Sequence, residues 1–296
     1  MTKEVERLFK TKLVDALRAF DGFCNEHGLD YYACSGTTIG AVRHQGFIPW
    51  DDDIDVFMLR ADYDRLMELS PKLASTHYRI AKLGDEGYIY PFAKFIDTDT
   101  TLIEQDAFPD CCIGVYVDIF PLDEVSSSID DVRSKKVKFE RLLDDFQHTY
   151  RRLSFGWIAY NVKKFRLAEL FRSLSIGLGS EKRKEAVRDR FIRYENDWSK
   201  EHGPLLYTHH AIYKLENELF DKSVFSDYRY MPFEDFRIRV NTEYDKYLTQ
   251  LFGDYMTPPP EDKRVSAHHH YYLNLKEGLS LEEATDRIRK GERLVY

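Results

Sequence analysis

Cysteine is scarce in this sequence, which limits what could crosslink the fold. The four cysteines in 296 residues form no CxxC pair and no zinc-ligand spacing; they are Cys24, Cys34, Cys111 and Cys112. The adjacent pair at 111 and 112 would make a poor structural crosslink. The simplest interpretation is four reduced thiols in the cytoplasm, where disulfides are rare.

Long apolar runs are also absent. No run of about eighteen apolar residues occurs, so we expect no membrane-spanning helix. The first residues carry charges throughout and lack the apolar centre of a secretory signal peptide. The sequence shows no internal repeat. These absences favour a globular protein of the cytoplasm.

A basic charge balance is missing as well. The chain has 43 Lys and Arg against 51 Asp and Glu, which gives a net charge of −8 at pH 7. A long polyanion such as DNA favours a basic partner, so we expect no nucleic acid ligand. A small anionic donor is compatible with this charge, because a few local cations or a metal ion can hold it.

Hydrophobic periodicity predicts helices and strands mixed along the chain. The predicted helices are 4–26, a short one ending near 43, 61–74, 242–252 and 279–291. The predicted strands are 31–34, 54–59, 77–82, 88–96, 100–104 and 114–120. Several consecutive strands follow the second helix, which favours a mixed α+β sheet over a doubly wound one.

The chain divides into three predicted regions. Residues 1–125 would form a core that carries the metal site, and residues 126–200, rich in Lys, Arg and Glu, a helical lobe. Residues 201–296 would pack on the core and close the site. The stretch 205–240 is ambiguous, and three consecutive prolines at 258–260 exclude a helix or central strand there.

An acidic cluster at 51–53 comes directly before the strand predicted at 54–59. If the strand begins near Asp53, then Asp53 and Asp55 project from one face while Ile54 and Val56 face the core. Two adjacent carboxylates repel each other, and a divalent cation such as Mg²⁺ relieves this repulsion. The alternative is a solvated acidic turn that happens to precede a strand.

A single acid, Asp118, lies within the apolar strand predicted at 114–120. Burying it is costly unless it is paired, hydrogen-bonded or metal-bound. The alternative is an aspartate that caps the turn after the strand. The EF-hand spacing of a structural calcium site is absent. Asp118 is therefore the candidate third ligand, beside Asp53 and Asp55, for one or two Mg²⁺ ions, with Mn²⁺ as a substitute.

The turn at Ser35-Gly36-Thr37 follows a strand and begins a helix, seventeen residues before Asp53 as counted from Gly36. Backbone N–H groups and the helix dipole favour an anion at such a turn, and glycine permits close approach. Taken alone the pattern is common. Beside the acids, it suggests a cradle for a donor phosphate.

Together these three elements resemble the nucleotidyltransferase superfamily of DNA polymerase β, and longer segments resemble the LicD family within it. These segments are 35–44 (SGTTIGAVRH), 46–55 (GFIPWDDDID), the Lys94 segment PFAKFIDTDT, 117–122 (VDIFPL) and the late FEDFRIRV and YLTQLFGDYMTPPPEDKR stretches. The resemblance covers most of the chain outside roughly 125–225. It matches the family's first two acids to Asp53 and Asp55, the third to Asp118, and an additional acid to Asp51.

The resemblance implies a Mg²⁺-dependent phosphotransferase of the cytoplasm. Its donor would be a CDP-linked compound such as CDP-choline, and its acceptor a sugar hydroxyl of a cell-surface glycan or glycolipid, such as a lipopolysaccharide precursor. Either Asp118 or Asp51 would accept the hydroxyl proton. Two alternatives stay open: a nucleotidyltransferase that releases pyrophosphate, and a non-catalytic nucleotide-binding protein of the same fold.

Several residues are candidates for holding the donor. They are Ser35, Gly36, Thr37, Arg43, His44 and Lys94. Arg43 suits bidentate phosphate recognition, although it could equally complement a helix C-terminus. Lys94 could instead be a strand residue whose ammonium reaches the surface.

Two further groups of residues remain open from sequence alone. Lys263, Arg264 and His268 would either close the site or form a solvated charged loop, and the run of three histidines at 268–270 has no assigned role. A quaternary ammonium favours an aromatic cage. The candidate cage residues are Tyr88, Tyr90, Phe92, Phe108 and Tyr116.

Overall fold

Runs of strands and runs of helices follow one another, as expected for an α+β protein, in the computed structural model, which describes residues 2–104, 111–150, 162, 167–266 and 270–296. The helices are α1 Lys3–His27, α2 Ser35–Ile39, α3 Arg60–Leu69, α4 Ile129–Tyr150, α5 Leu167–Gly177, α6 Glu181–Trp198, α7 Leu215–Glu218, α8 Tyr244–Phe252 and α9 Leu281–Arg289. The strands are β1 Tyr32–Ala33, β2 Asp55–Leu59, β3 Tyr78–Ala81, β4 Ala93–Glu104, β5 Ile113–Val125, β6 Leu205–Tyr207, β7 Phe220–Asp221, β8 Tyr228–Phe233, β9 Phe236–Asn241, β10 His270–Asn274 and β11 Leu294–Val295.

The main sheet is mixed, as predicted. Its strands run in the order β1-β2-β5-β4-β10-β11; β3 also pairs with β4, while β6 joins the far end of β5 and β7 follows it. The β2–β5 and β10–β11 pairs are parallel and the other pairs in this sheet are antiparallel. The parallel β2–β5 pair sets the two predicted acid strands side by side.

The predicted first helix, α1, covers one face of the sheet. It starts at Thr2, whose hydroxyl accepts the N–H of Val5, and it ends at Gly28 with a φ of 61°. Its apolar residues recur at helical spacing and are buried together with Ile54 and Val56 of the acid strand. Each fully buried side chain of this size stabilises the fold by roughly 2 kcal/mol. Burial of Ile54 and Val56 leaves the alternate residues of β2 for the opposite face.

Helices α4, α5 and α6 supply the helical content predicted between 129 and 200. Phe139, Phe146 and Phe191 pack between α4 and α6. Arg172 of α5 donates to Asp144 and Asp145 of α4, both at 2.7 Å. The three-region division at 125 and 200 stays a prediction.

Three strand boundaries differ from the prediction. Residues 88–92 are not a strand, because Pro91 has no N–H to donate to a ladder and β4 starts only at Ala93. The predicted break near 97–99 is instead an irregularity within β4, between Asp97 and Leu102 in the pairing with β5. β2 begins at Asp55 rather than near Asp53.

The ambiguous stretch 205–240 contains a hairpin formed by β8 and β9, whose turn holds Glu234 at a φ of 53°. The unpredicted strand β10 pairs with β4 and extends the sheet beyond it. Across the described residues, we find no helix whose length and apolar content would let it cross a membrane.

Candidate active site

The predicted acids converge where β2, β5 and β4 lie side by side. In the strand register, Asp55 lies opposite Asp118 on the parallel neighbour, and Asp118 lies opposite Lys94 on the antiparallel neighbour. Residues paired in this way project from the same face of the sheet. The row therefore consists of two carboxylates and one ammonium group.

The carboxylates in this row repel one another. The pKa of Asp55 is raised well above its ordinary value, first by burial and then by the charges of Asp53, Asp118 and Asp51, while Lys94 opposes the rise. A divalent cation would offset this accumulated charge, and an all-carboxylate set is the kind that Mg²⁺ takes. The donor chemistry of the three predicted ligands therefore fits the ion.

A tighter ligand arrangement lies elsewhere on the sheet. Among the residues described by the structure, the metal-capable group whose ligand atoms all lie within 4.8 Å of one another is His77, Asp97 and Asp99. Asp97 in this group is already bonded to Lys12 at 3.2 Å. The acids of the predicted set are neighbours in the strand register but do not meet that spacing, so their assignment as ligands stays a prediction.

A cavity of about 940 Å³ opens over the acids. Asp51, Asp53, Asp55 and Asp118 all contribute to its lining. Thr37, His44 and Lys94 do not line it. The predicted site residues therefore divide into those that face the cavity and those that lie behind its wall.

The Ser35-Gly36 turn is shaped around Asp51. Ser35 has a φ of 46°, in the left-handed region that is strained for a residue with a side chain. A Cβ added to Gly36 would lie 2.5 Å from Oδ2 of Asp51, so only glycine leaves room for that carboxylate. The turn thus brings backbone and carboxylate into close approach at the cavity edge.

Two polar groups of the turn already have partners. The Ser35 N–H donates to the hydroxyl of Tyr247 at 2.9 Å, and the Thr37 hydroxyl accepts the N–H of Asp55 at 2.9 Å. Thr37 therefore fastens α2 to the start of β2 instead of facing a ligand. Of the predicted phosphate cradle, Ser35 and Gly36 line the cavity and Thr37 supports it from behind.

Gly36→Ala is expected to lower transferase activity at least about tenfold, because the added methyl group displaces the Asp51 carboxylate and a misplaced group of this kind costs up to about 10²-fold in rate. The measurement is initial rate beside thermal midpoint. Gly22→Ala is the matched control, since its Cβ meets no atom within 4 Å in the exposed face of α1. It should keep full activity and stabilise the helix by about 1 kcal/mol. Wild-type activity in Gly36→Ala would contradict the close-approach role.

Two arginines provide positive charge beside the acids. Arg43 lines the cavity and donates to the carbonyl of Tyr255, while its Nε donates to His44 at 2.9 Å. The pKa of Arg43 is lowered by burial and by the charge of Arg264, which places the two guanidinium groups near each other. The pKa of His44 is lowered by burial and by Arg43, so its neutral ring accepts from Arg43 and orients it. Arg264 does not line the cavity, but its charge lies near Arg43, and neighbouring guanidinium groups suit a phosphate-rich ligand.

Lys94 is not exposed to the cavity. It is 1% exposed, and its ammonium lies 2.6 Å from Oδ1 of Asp118. Three of the predicted cage residues surround that ammonium: Tyr116 at 3.4 Å, Tyr90 at 4.5 Å and Phe92 at 5.2 Å from their ring centres. These rings therefore form a cage for an internal cation that holds Asp118.

The remaining predicted residues have different positions. Tyr88 is buried and its hydroxyl donates to the carbonyl of Phe92. Lys263 is exposed, and Arg264 lies over the ring of Trp50 at 5.5 Å. Phe108 and His268 lie outside the described residues.

Residues that sequence reasoning missed form the opposite wall of the cavity. They are Phe139, Glu140, Leu143 and Gln147 of α4, together with the loop residues Thr208, His209, His210 and Tyr213. Phe139 stacks on His209 with ring centres 4.7 Å apart. The adjacent histidines were the available signal, but nothing in the sequence set them opposite the acid strands.

A buried ionic network joins this wall to the sheet. Asp123, at the end of β5, accepts two bonds from Arg60 at 2.6 and 2.8 Å and lies 3.0 Å from Nε2 of His209. Glu195 of α6 lies 3.4 Å from the same nitrogen. Burial alone would lower the pKa of His209, but the charge of Glu195 and the contact with Asp123 raise it to about 9. The imidazolium thus links β5, α6 and the loop at 208–213.

This raised pKa predicts a pH-dependent stability. Because the pKa of folded His209 is about 9 and its unfolded value is about 6.5, its contribution is complete below pH 6.5 and is lost as the pH rises through 9. The shift corresponds to about 3 kcal/mol at most. Denaturant unfolding at several pH values should therefore show a fall above pH 6.5 that is absent in His209→Gln. An equal fall in both proteins would contradict this assignment.

Comparison of the sequence with known proteins shows which class of domain carries the site. A family model described as LicD/FKTN/FKRP, nucleotidyltransferase domain, matches residues 28–156, which include the turn, the acids and Lys94. The chain is also 28% identical over 271 residues to the lipopolysaccharide cholinephosphotransferase LicD of Haemophilus influenzae, covering 86% of this chain and 92% of that protein. It is 40% identical over 98 residues to an uncharacterised protein of Rickettsia typhi, covering 33% of this chain and 30% of that one. Residues 28–156 therefore match the LicD family, as the motifs predicted, and the similarity to a LicD protein extends over most of the chain.

Proposed function

We propose that this protein transfers phosphocholine, or a similar phospho-alcohol group, from a CDP-linked donor to a sugar hydroxyl of a cell-surface glycan or lipopolysaccharide precursor. Likeness to a lipopolysaccharide cholinephosphotransferase along most of both chains supports this choice of group. The observation that carries the chemistry is the pairing of Asp55 with Asp118 at the cavity. A nucleotidyltransferase-type fold and a cytoplasmic site of action are parts of the same proposal.

Asp53, Asp55 and Asp118 are the proposed ligands of one or two Mg²⁺ or Mn²⁺ ions. When bound, the metal would neutralise charge on the donor diphosphate. The raised pKa of Asp55 supports this assignment, because it reports negative charges held close together within the wall. Lys94 holds Asp118 through one oxygen and so fixes the direction of that carboxylate.

The chain's other groups position the reactants. Arg43, oriented by neutral His44 and placed near Arg264, would bind donor phosphate oxygens. Asp51 or Asp118 is the proposed acceptor of the hydroxyl proton, since both line the cavity. The acceptor oxygen forms a bond to the distal phosphorus as the bond from that phosphorus to CMP breaks. CMP leaves with the electron pair, and positioning supplies most of the catalysis.

The test is product analysis with purified protein, Mg²⁺, glycan acceptors and separate CDP-linked choline, ethanolamine and alditol donors. CMP released from one donor, and lost on chelation of the metal, is the expected result. Pyrophosphate released from a nucleoside triphosphate would instead show the nucleotidyltransferase alternative. A donor-dependent rise in thermal midpoint with no product from any donor would show the binding-protein alternative.

A further inference from the structure

The sequence from 151 to 193 is strongly basic within an acidic protein. It contains twelve Lys and Arg against four Asp and Glu, whereas the whole chain has a net charge of −8. Segregation of charge on this scale is typical of a segment that meets an anionic partner.

Helices α5 and α6 place part of this charge beside exposed apolar side chains. Phe171 and Leu178 are 69% and 75% exposed and lie seven residues apart, so they share one face of α5 and its last turn. The N–H of Leu178 donates to the carbonyl of Leu174 at 3.0 Å, which continues the helical turn to that residue. We call residues 171–184 the α5–α6 tip.

The start of α6 brings cations to the same end of α5. Arg183 donates from Nη2 to the hydroxyl of Ser175 at 3.0 Å, and both Lys182 and Arg183 are exposed. The α5–α6 tip therefore presents two apolar side chains and at least two cations together.

The two apolar side chains on this face of α5 are exposed, while the other side of the helix is packed. The opposite face of α5 holds the buried residues Leu170, Ser173 and Ile176, and Arg172 anchors the helix to α4. Exposed apolar groups with surrounding charge are the combination found at interaction surfaces.

We propose that the α5–α6 tip binds the surface of an anionic lipid bilayer. Phe171 and Leu178 would enter the boundary between head groups and acyl chains, while Lys182 and Arg183 meet anionic head groups. A second copy of the chain fits less well, because a two-fold contact through this tip would set like charges against each other. The proposed contact is with the bilayer surface, and the described residues include no helix that could cross a membrane.

The position of the α5–α6 tip adds a reason for this occupant. α5 is anchored on α4, and α4 contributes Phe139 and Gln147 to the cavity wall. Attachment through the tip would hold the cavity near the bilayer, where a glycolipid acceptor resides. That last link rests on the proposed function, but binding to lipid does not.

The experiment is co-sedimentation of the full chain with phosphatidylcholine vesicles, with and without about 30% phosphatidylglycerol, at low and high salt. Wild type should bind the anionic vesicles and release them at high salt. Phe171→Ser/Leu178→Ser and Lys182→Glu/Arg183→Glu should each weaken partitioning at least about tenfold. Val265→Ser removes a similar apolar side chain, 69% exposed and outside the lobe, and should bind as wild type does.

Failure of wild type to bind anionic vesicles at low salt would overturn the proposal, as would wild-type binding by both tip variants. The charge-reversal variant alters exposed residues only, so it keeps the test decisive if the apolar variant misfolds. Light scattering on the same samples detects the competing occupant: a dimer lost in Phe171→Ser/Leu178→Ser, without vesicle binding, would assign the tip to self-association. Vesicle binding without transferase activity would leave this proposal standing and remove only the proposed function.

Discussion

Asp55→Asn is expected to reduce CMP release at least about 10³-fold, the scale set by removing one well-placed electrostatic group from a phosphate-transfer site. Asparagine keeps the size of the side chain but removes its negative charge. That charge lies beside Asp118 in the register of β2 and β5. The effect should appear in kcat more than in KM, because the charge acts on the transition state. Initial rates over a series of Mg²⁺ and donor concentrations measure both.

The stability of Asp55→Asn should not fall with its activity. Burial and neighbouring negative charges raise the pKa of Asp55, so the ionised group opposes folding at neutral pH. Asp55→Asn should therefore keep or raise the thermal midpoint while losing activity. Loss of both activity and thermal midpoint would indicate a folding defect. Full activity in Asp55→Asn would contradict the metal-site assignment.

Asp52→Asn is the matched control within the same acidic run. Asp52 is buried but does not line the cavity, and its Oδ1 accepts the hydroxyl of Ser266 at 2.9 Å. Asparagine retains an oxygen for that bond. We expect most activity to remain, so a loss equal to that of Asp55→Asn would show that the assay responds to the loop and not to the ligand set.

Local patterns in the sequence were enough to predict one half of the site. Alternation across 53–56 separates acids from core residues, and Ile54 and Val56 are indeed fully buried. The strand boundary was less predictable, because β2 begins where Asp55 comes to lie beside Asp118 of β5, and the apolar pattern does not indicate that pairing. The α+β character and mixed sheet followed from the order of elements, while β10 depended on contacts with a strand 170 residues earlier.

The other half of the site depends on pairing between residues that are far apart in the sequence. Nothing in the sequence states that Lys94 lies opposite Asp118, so its ammonium could be assigned to a phosphate as readily as to a carboxylate. The same holds for Thr37, whose hydroxyl serves the N–H of Asp55. The part of the cavity wall formed by α4 could not be predicted from the sequence. Phe139 and Gln147 have the pattern of ordinary helix residues, and only the packing of the lobe against the sheet places them at the cavity.

Lys94→Met is expected to lower the free energy of unfolding by about 3–5 kcal/mol, since it removes the buried ammonium that lies 2.6 Å from the Asp118 carboxylate. Methionine matches the length of the lysine stem and still contacts the rings of Tyr90 and Tyr116. Denaturant unfolding measures the loss, and transferase activity should fall with it because Asp118 is no longer held in direction.

Two further variants separate the ion pair from simple packing. Lys94→Met/Asp118→Asn removes both charges of the pair and should regain most of the lost stability, although not the activity, because the carboxylate charge that Lys94 offsets is removed as well. Lys12→Met breaks the partly exposed Lys12–Asp97 pair and should cost about 1 kcal/mol or less. If the double variant is as unstable as Lys94→Met alone, the lost stability comes from the contacts of the Lys94 ammonium with the aromatic rings, and not from its pairing with Asp118. Recovery of stability without activity would instead mean that β4 supplies a fixed cation so that β5 can present a correctly directed carboxylate to the cavity.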